Sequence, residues 1–560
     1  MNAPKKTSRA LSIYLIKSRF TADKTIVKLG ECDTPIHIAL NGTTQATLYV
    51  KKTAAHQPKW ASLFDETVDK KYLSSLKIPS ISALLLVEIE NARYALTFGQ
   101  GGRFLLHDDT WEERFGLLTT LKSVNADTLR CVDVQSLDAI QSQSRIQTGQ
   151  EATTDQFGLN VEQDMLKAVV GSPLLTPLGN RMTGSDALSV SIKLNLADLP
   201  ELLKSYKAQH EKPLEDALHE WVNNIAPVKN TGLILELESE LDKQINGGDL
   251  GNLWLAIPEI IKWDAVAGFA FSGEKDVIHP DISYPVFIET LKGSKPSVEV
   301  LKSKKVFCVN EDFDRVEQSW SVYRCLYAEV DYQAQKYILN DAKWYCVASS
   351  FLKRTQTAYS GLPKSKLRLP TYKGNGEGLY NIEAEAASSG TLQLLDQKNI
   401  LHGGGHSKIE VCDLLSINRE LIHVKIYSKS SVLSHLFAQG LVSGQLIQMD
   451  SEFREKVIEK LNPEFKHLLS KEQSPNKDTF TVVYGIISDT DGDDLRLPFF
   501  SQVNVNNTAK MLRGMGYKVE LLKIKWDPTA VAARKKPAAK KAPKPQAKPA
   551  AKKLHKPDKP

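Results

Sequence analysis

Three residues near position 420 have types and spacing that could work on a phosphodiester. Asp413 is followed by His423 and then by Lys425, a D-x9-H-x-K spacing. A carboxylate can hold Mg²⁺, the metal polarises the phosphate and acidifies water, and an ammonium orients the nucleophile or offsets developing charge. On an extended segment His423 and Lys425 share one side and Val424 takes the other. A hairpin turning near Asn418 sets Asp413 opposite about Val424, beside both. One register step decides whether its carboxylate faces them. The bland account of the same residues is a solvated strand face.

Such residues need a sheet to hold them, and the flanking pattern predicts one. A helix is expected near Glu377–Ser388, a strand over Thr391–Leu395, and then a glycine-rich turn. A strand over Lys408–Leu415, a tight turn through Ser416–Arg419 and a strand over Leu421–Tyr427 follow. A helix starting near Ser431 closes the unit and carries Ser431, Ser434, His435 and Gln439, side chains suited to a nucleic-acid backbone. Further on come a strand (TFTVVYGIIS), a helix near Val505–Gly514 and a last strand (KVELLKIKW). The order α-β-β-β-α-β is readable from periodicity.

This segment resembles the PD-(D/E)xK nuclease superfamily, whose core has the same element order. The resemblance puts the family's aspartate on Asp413 and its lysine on Lys425. Its acidic residue two before the lysine falls on His423, a departure. A histidine can ligate a metal or shuttle a proton, but it supplies no anionic oxygen. The family's helical glutamate falls on Glu377 or Glu383. What the resemblance implies is a restriction-endonuclease-like domain using Mg²⁺, with a degenerate, non-catalytic nucleic-acid-binding scaffold as the alternative.

A second resemblance covers most of the chain. LYVKKTAAHQPKWASLF, LLLVEIENARYALTFGQGGRFLL, FGLLTTLKSVNADTLRCVD and CDLLSINRELIHVKIYSKSSVLSHLFAQGLVS look like a sporadically distributed bacterial family of uncharacterised proteins. Its mobile-element setting implies defence against phage or foreign DNA. A phage component and a second copy of the chain join DNA as expected partners.

Other motifs fail on spacing. No G-x-x-x-x-G-K-[ST] supports a P-loop. GNGEG at 374–378 and GQGG at 99–102 lack a dinucleotide fingerprint, and HEWVN at His219 has Asn223 where a zincin has histidine. Asp489, Asp491, Asp493 and Asp494 resemble a calcium loop, but Asp494 stands where that loop needs glycine and Phe500 where it needs glutamate. A solvated turn is the better reading. HGGGH at 402–406 has no nucleophile motif beside it and reads as a turn.

The 560 residues exceed what one core usually fills. No apolar run approaches the roughly 18–20 residues of a membrane span, and the N-terminus makes a poor signal peptide and a fair strand. Six cysteines stand singly, as reduced thiols of a cytoplasmic protein do. The formal charge of +6 divides unevenly. Residues from Arg534 onward carry a net +10 and the rest −4. That Lys/Ala/Pro tail, with Arg534, Lys535, Lys536, Lys540 and Lys541 at its start, is expected to be disordered and to neutralise phosphates.

Elsewhere, strands are expected over Ser12–Lys17 and Thr44–Val50, and a hairpin over Ala83–Ile89 and Arg93–Phe98. Asp198 is expected to cap a helix running into ELLKSYKAQH, LEDALHEWV to resume it, and TGLILELESELDKQI to form another. YRCLYAEVDY and KYILNDAKWYCV read as strands turning at Asn340-Asp341, with core packing preferred over base stacking for their aromatics. The expected fold class is mixed α/β. Residues 1–300 form an N-terminal mixed α/β region, 301–370 an aromatic-rich β segment, 371–527 the nuclease-like αβββαβ domain, and 528–560 the basic tail.

Overall fold

The computed structural model describes residues 7–527, apart from 43, 137–141, 163, 215–220, 249–251, 260, 262, 264–265, 311–314, 403–406, 428–429 and 491. The tail therefore lies outside the described residues, as do most of LEDALHEWV, Asp491 and most of HGGGH. The chain is mixed α/β and divides into two compact units. One gathers Met1–Leu362, Ser428–Ala438 and Leu497–Met511; the other gathers Pro363–Tyr427, Gln439–Arg496 and the chain from Leu512 onward.

The first unit is built on antiparallel sheets. Its largest has ten strands, with Thr7–Ile16 near the middle between Ala92–Phe98 and Leu188–Leu194. The expected hairpin is present as Ile78–Ile89 and Ala92–Phe98, turning at Glu90, whose φ is 54°. Helix Phe115–Leu121 lies against this sheet so closely that side chains are excluded on both sides. A Cβ on Gly116 would stand 1.9 Å from the Ala187 carbonyl, and one on Gly184 would stand 2.3 Å from the Gly116 carbonyl. Glycine is the residue such backbone contact requires.

A five-stranded sheet in the same unit contains Leu326–Tyr332, Gln335–Asn340 and Lys343–Val347. Its aromatics pack inward: Tyr327, Tyr337, Trp344 and Tyr345 are all buried. Three local expectations are corrected. The start of YRCLYAEVDY is a helical turn, Val322–Cys325, because the Ser321 hydroxyl accepts the Arg324 N–H and caps it. The turn residues are Asp341 and Ala342, both at positive φ, one position later than expected. Asp198 does precede helix Leu199–Glu211, but its carboxylate accepts the Asn195 N–H and so belongs to the preceding 3-10 turn. Helix Thr231–Gly247 forms as expected, with Asn230 as its cap.

The second unit holds one five-stranded sheet, ordered Leu392–Leu394, Leu414–Ser416, Glu420–Ile426, Thr481–Ser488, Lys518–Lys525. The first three strands are antiparallel to their neighbours and the last three run parallel. Helix Glu377–Ala387 precedes the sheet in the chain, and Ser430–Met449 follows the third strand. The elements thus come in the expected α-β-β-β-α-β order. One expected strand, Lys408–Leu415, is instead two short ones. Ser407–Ile409 pairs with Ile400–His402 in a separate hairpin, and Leu414–Ser416 joins the sheet. Ile422, Val424, Val483, Ile487 and Ile524 form an apolar layer with Tyr380 and Ala384 of the first helix. Residues 364–372 run beside the last strand, bridging at Lys364 to Leu521 and at Tyr372 to Trp526. Asp493 and Asp494 pair with Lys525 and Lys364, as members of a solvated turn.

Candidate functional site

One stripe of helix Glu377–Ala387 reaches the ends of the second and third strands of this sheet. Residues four apart lie on one helical face, so Glu377, Asn381 and Glu385 line up. Glu377, in the first turn where an acid suits the helix dipole, accepts the Lys425 ammonium at 2.7 Å and the Ile426 N–H at 3.0 Å. The Asn381 amide donates to Asp396 at 3.0 Å and to Asp413 at 3.3 Å. Glu385 accepts the Leu394 N–H at 2.7 Å and fixes the helix to the edge strand.

Asp413 stands just beyond the end of the ladder. Leu414 pairs with Ile422, and one residue earlier the Asp413 side chain, instead of a backbone carbonyl, accepts the Val424 N–H at 2.6 Å. The Asp413 carbonyl in turn accepts the N–H groups of Leu395 and Asp396. Those bonds close the base of the Ile400–His402 and Ser407–Ile409 hairpin and bring Asp396 alongside Asp413. Glu410, just past the returning strand of that hairpin, accepts the Gln397 N–H at 2.8 Å and the Gln439 amide at 3.1 Å.

Asp396, Glu410 and Asp413 each offer a carboxylate oxygen, and these oxygens lie within 4.8 Å of one another. Burial pushes the Asp413 carboxyl up to about 7 against the pull of the Val424 N–H, and the charges of Glu410 and Asp396 add to the rise. Burial raises Glu410 as well, with Asp396 beside it contributing. Three acids crowded in a half-dry site repel one another, and a divalent cation relieves that repulsion while taking oxygen ligands. Asn381 is fully buried, and its amide oxygen has no partner while its NH₂ is committed to two of the acids. Such a donor set suits a hard cation such as Mg²⁺ or Mn²⁺.

The residues expected from sequence fall into two groups. The structure brings Asp413, Lys425 and Glu377 together, and it sets Glu377, not Glu383, at the lysine. Glu383 faces elsewhere, taking the Asn375 amide at 2.9 Å with Lys373 3.4 Å away. His423 is 1% exposed, its ring beside Tyr484 and its Nε2 3.5 Å from the Ser443 hydroxyl. Burial lowers it to about 4, so it is neutral. Of the four helix residues, Gln439 reaches Glu410, Ser434 is buried and His435 is exposed. The side chain of Ser431 and the residues Arg534, Lys535, Lys536, Lys540 and Lys541 lie outside the described residues.

Asp396, Glu410 and Asn381 were not anticipated. The available signal was the pair of acids flanking a glycine-rich turn, Asp396 before it and Glu410 after it. A hairpin closing on that turn must bring its two ends together.

No protein of curated function and no solved structure matches the chain. A family model described as a family of unknown function, DUF6119, matches residues 11–525.

Proposed function

For this chain, which belongs to the DUF6119 family, we propose a metal-dependent phosphodiesterase of the PD-(D/E)xK kind that acts on DNA. The observation that carries the reading is the clustering of Asp396, Glu410 and Asp413 within 4.8 Å beside a lysine held by Glu377. Asp396 and Glu410 supply the anionic oxygens that His423 does not, so the acidic count of such a site is met from the hairpin instead of the third strand.

The residues divide the work. Asp396, Glu410 and Asp413 would hold the cation. A bound Mg²⁺ would polarise the phosphate and bring a water molecule toward hydroxide near neutral pH. Asn381 holds two of the acids in one orientation, as outer partners of metal ligands do. Lys425, fixed at 2.7 Å by Glu377, offsets charge on the phosphate or orients the attacking water. The Lys-rich tail would add salt-sensitive affinity for the DNA backbone. The resemblance to proteins of mobile-element settings supports foreign DNA, such as that of a phage, as the target.

The test is purified protein with plasmid DNA and Mg²⁺ or Mn²⁺, comparing the wild type with Asp413→Ala, Lys425→Ala and Asp396→Ala. Loss of cutting in all three is expected. Cutting that is equal in all four proteins sinks the assignment, and metal-independent binding without nicking leaves only a DNA-gripping protein. In cells, the same substitutions are expected to abolish any reduction in phage plating.

A further inference from the structure

One edge of the second unit's sheet carries a run of bases outside the carboxylate site. Residues 363–373 include Lys364, Lys366, Arg368 and Lys373 and no acid, in a chain whose residues before Arg534 carry a net −4. Lys364, Lys366 and Arg368 are exposed, whereas Ser365, Leu367 and Leu369 between them are half-buried. The two leucines pack on the apolar layer of the sheet. Backbone bonds fix the run at both ends. Leu521 donates to the Pro363 carbonyl at 2.9 Å, Ser365 to that of Leu521 at 2.8 Å, and Tyr372 to that of Lys525 at 2.8 Å. A row of cations is thereby held outward on an anchored backbone.

Their charge is little spent. Among the described residues, Lys366 and Arg368 have no hydrogen-bond or ion-pair partner. Lys364 meets Asp494 at 2.5 Å and, on the last strand, Lys525 meets Asp493 at 2.6 Å, but all four side chains are more than half exposed. Exposed pairs of this kind hold weakly, so a phosphate can take the place of either acid. The run also leads somewhere. Its bridges at Lys364 and Tyr372 are parallel, so it travels with the last three strands toward their carboxyl ends. Ile426, whose N–H Glu377 holds, is level with Ile487 and so with Ile524, two residues before the Trp526 bridge to Tyr372. The run and the Glu377–Lys425 pair thus meet at one end of the sheet, the end where parallel sheets receive ligands. The second basic segment starts there too. Asp527 donates its N–H to the Tyr372 carbonyl at 2.7 Å. Arg534, where the net +10 segment begins, is seven residues further on, within about 25 Å by chain length.

We propose that residues 364–373 form the track along which the phosphate backbone of DNA reaches the carboxylate site, and that the tail's lysines extend the same contact. The inference rests on the reading of that site as one acting on DNA. A row of unneutralised cations along one edge matches a continuous polyanion, and Arg368 offers a fork for a two-point phosphate contact.

Full-length protein is titrated onto a fluorescent DNA duplex in EDTA, and anisotropy reads binding without cutting over a range of salt. Lys366→Gln combined with Arg368→Gln is expected to weaken binding about tenfold on every sequence and to lower the slope of log K against log salt by about two. Lys366→Arg combined with Arg368→Lys should restore both, and melting of each variant reports separately on its folding. Three results overturn the proposal: wild-type affinity and slope in the folded glutamine pair, loss of the whole salt slope on Lys535→Gln, Lys536→Gln, Lys540→Gln and Lys541→Gln alone, or poly-glutamate competing as well as DNA of equal charge. Plasmid cutting with Mn²⁺ reads the carboxylate site separately. A protein that binds along the track and never cuts keeps this proposal and loses the phosphodiesterase. Cutting that is equal with and without the glutamine pair keeps the phosphodiesterase and loses the track.

Discussion

Asp413 Oδ2 lies 2.6 Å from the backbone nitrogen of Val424, so a side chain continues the hydrogen bonding of the third strand where its pairing with the second has ended. That bond turns the carboxylate toward Asp396 and Glu410 and away from the apolar layer on which Val424 packs. A strand irregularity that re-aims one side chain is a common device beside functional sites.

If Asn381 orients two of the acids, its loss should be felt at the metal. Asn381→Ala is expected to weaken Mn²⁺ binding about 10–100-fold, the usual effect of removing an outer partner of a metal ligand. Calorimetric titration of folded protein measures it. An unchanged affinity would remove Asn381 from the site.

The acids set a pH dependence whose direction follows from their environment. A carboxyl raised to about 7 keeps its proton in the folded protein at pH values where the unfolded chain has lost it. Its contribution to stability is therefore complete below about pH 4 and lost as the pH climbs through about 7. His423, lowered to about 4, acts in the opposite sense: its contribution is complete above about pH 6.5 and lost as the pH falls through about 4. A cation bound by the acids competes with the proton on Asp413. Mn²⁺ should accordingly raise the melting temperature more near pH 8 than near pH 5.5. Equal shifts at the two pH values would count against the three acids as ligands.

Restoring an acid at position 423 should not improve the site. His423 sits in a dry layer between Tyr484 and Ser443, so His423→Asp buries an unpaired charge. A loss of about 3–5 kcal/mol in stability is expected, with no gain in DNA cleavage. Denaturant unfolding together with the plasmid assay checks both halves. Enhanced cleavage by a stably folded variant would return this position to the chemistry.

Packing gives a prediction free of any functional reading. A Cβ at Gly440 would lie 2.6 Å from the Tyr484 hydroxyl oxygen and 2.7 Å from its ring. Gly440→Ala is expected to cost about 1–3 kcal/mol through overpacking, even though alanine favours helix. A stabilised variant in urea unfolding would contradict this contact.

Much of the second unit was legible because its elements carry clean periods. The turn after Ser416, the lysine at the end of the third strand and the helix ahead of the sheet all follow from alternation and spacing. The break between Ile409 and Leu414 was not legible, since VCDLL reads as unbroken strand until Asp413 is seen to bond the Val424 amide. His423 was misleading for a related reason. Alternation puts it on the same side as Lys425, but at mid-strand that side is covered, whereas Lys425 near the strand end is long enough to reach Glu377.

Glu377 clasps the Lys425 ammonium with one oxygen and the Ile426 amide with the other. The first turn of that helix and the last residues of that strand are thus latched as a single piece. Pulling either away severs a tether to the side chain and a tether to the main chain together. Slow deuterium uptake at the Ile426 amide, quickened by Glu377→Gln, would give a direct gauge of whether the latch is shut.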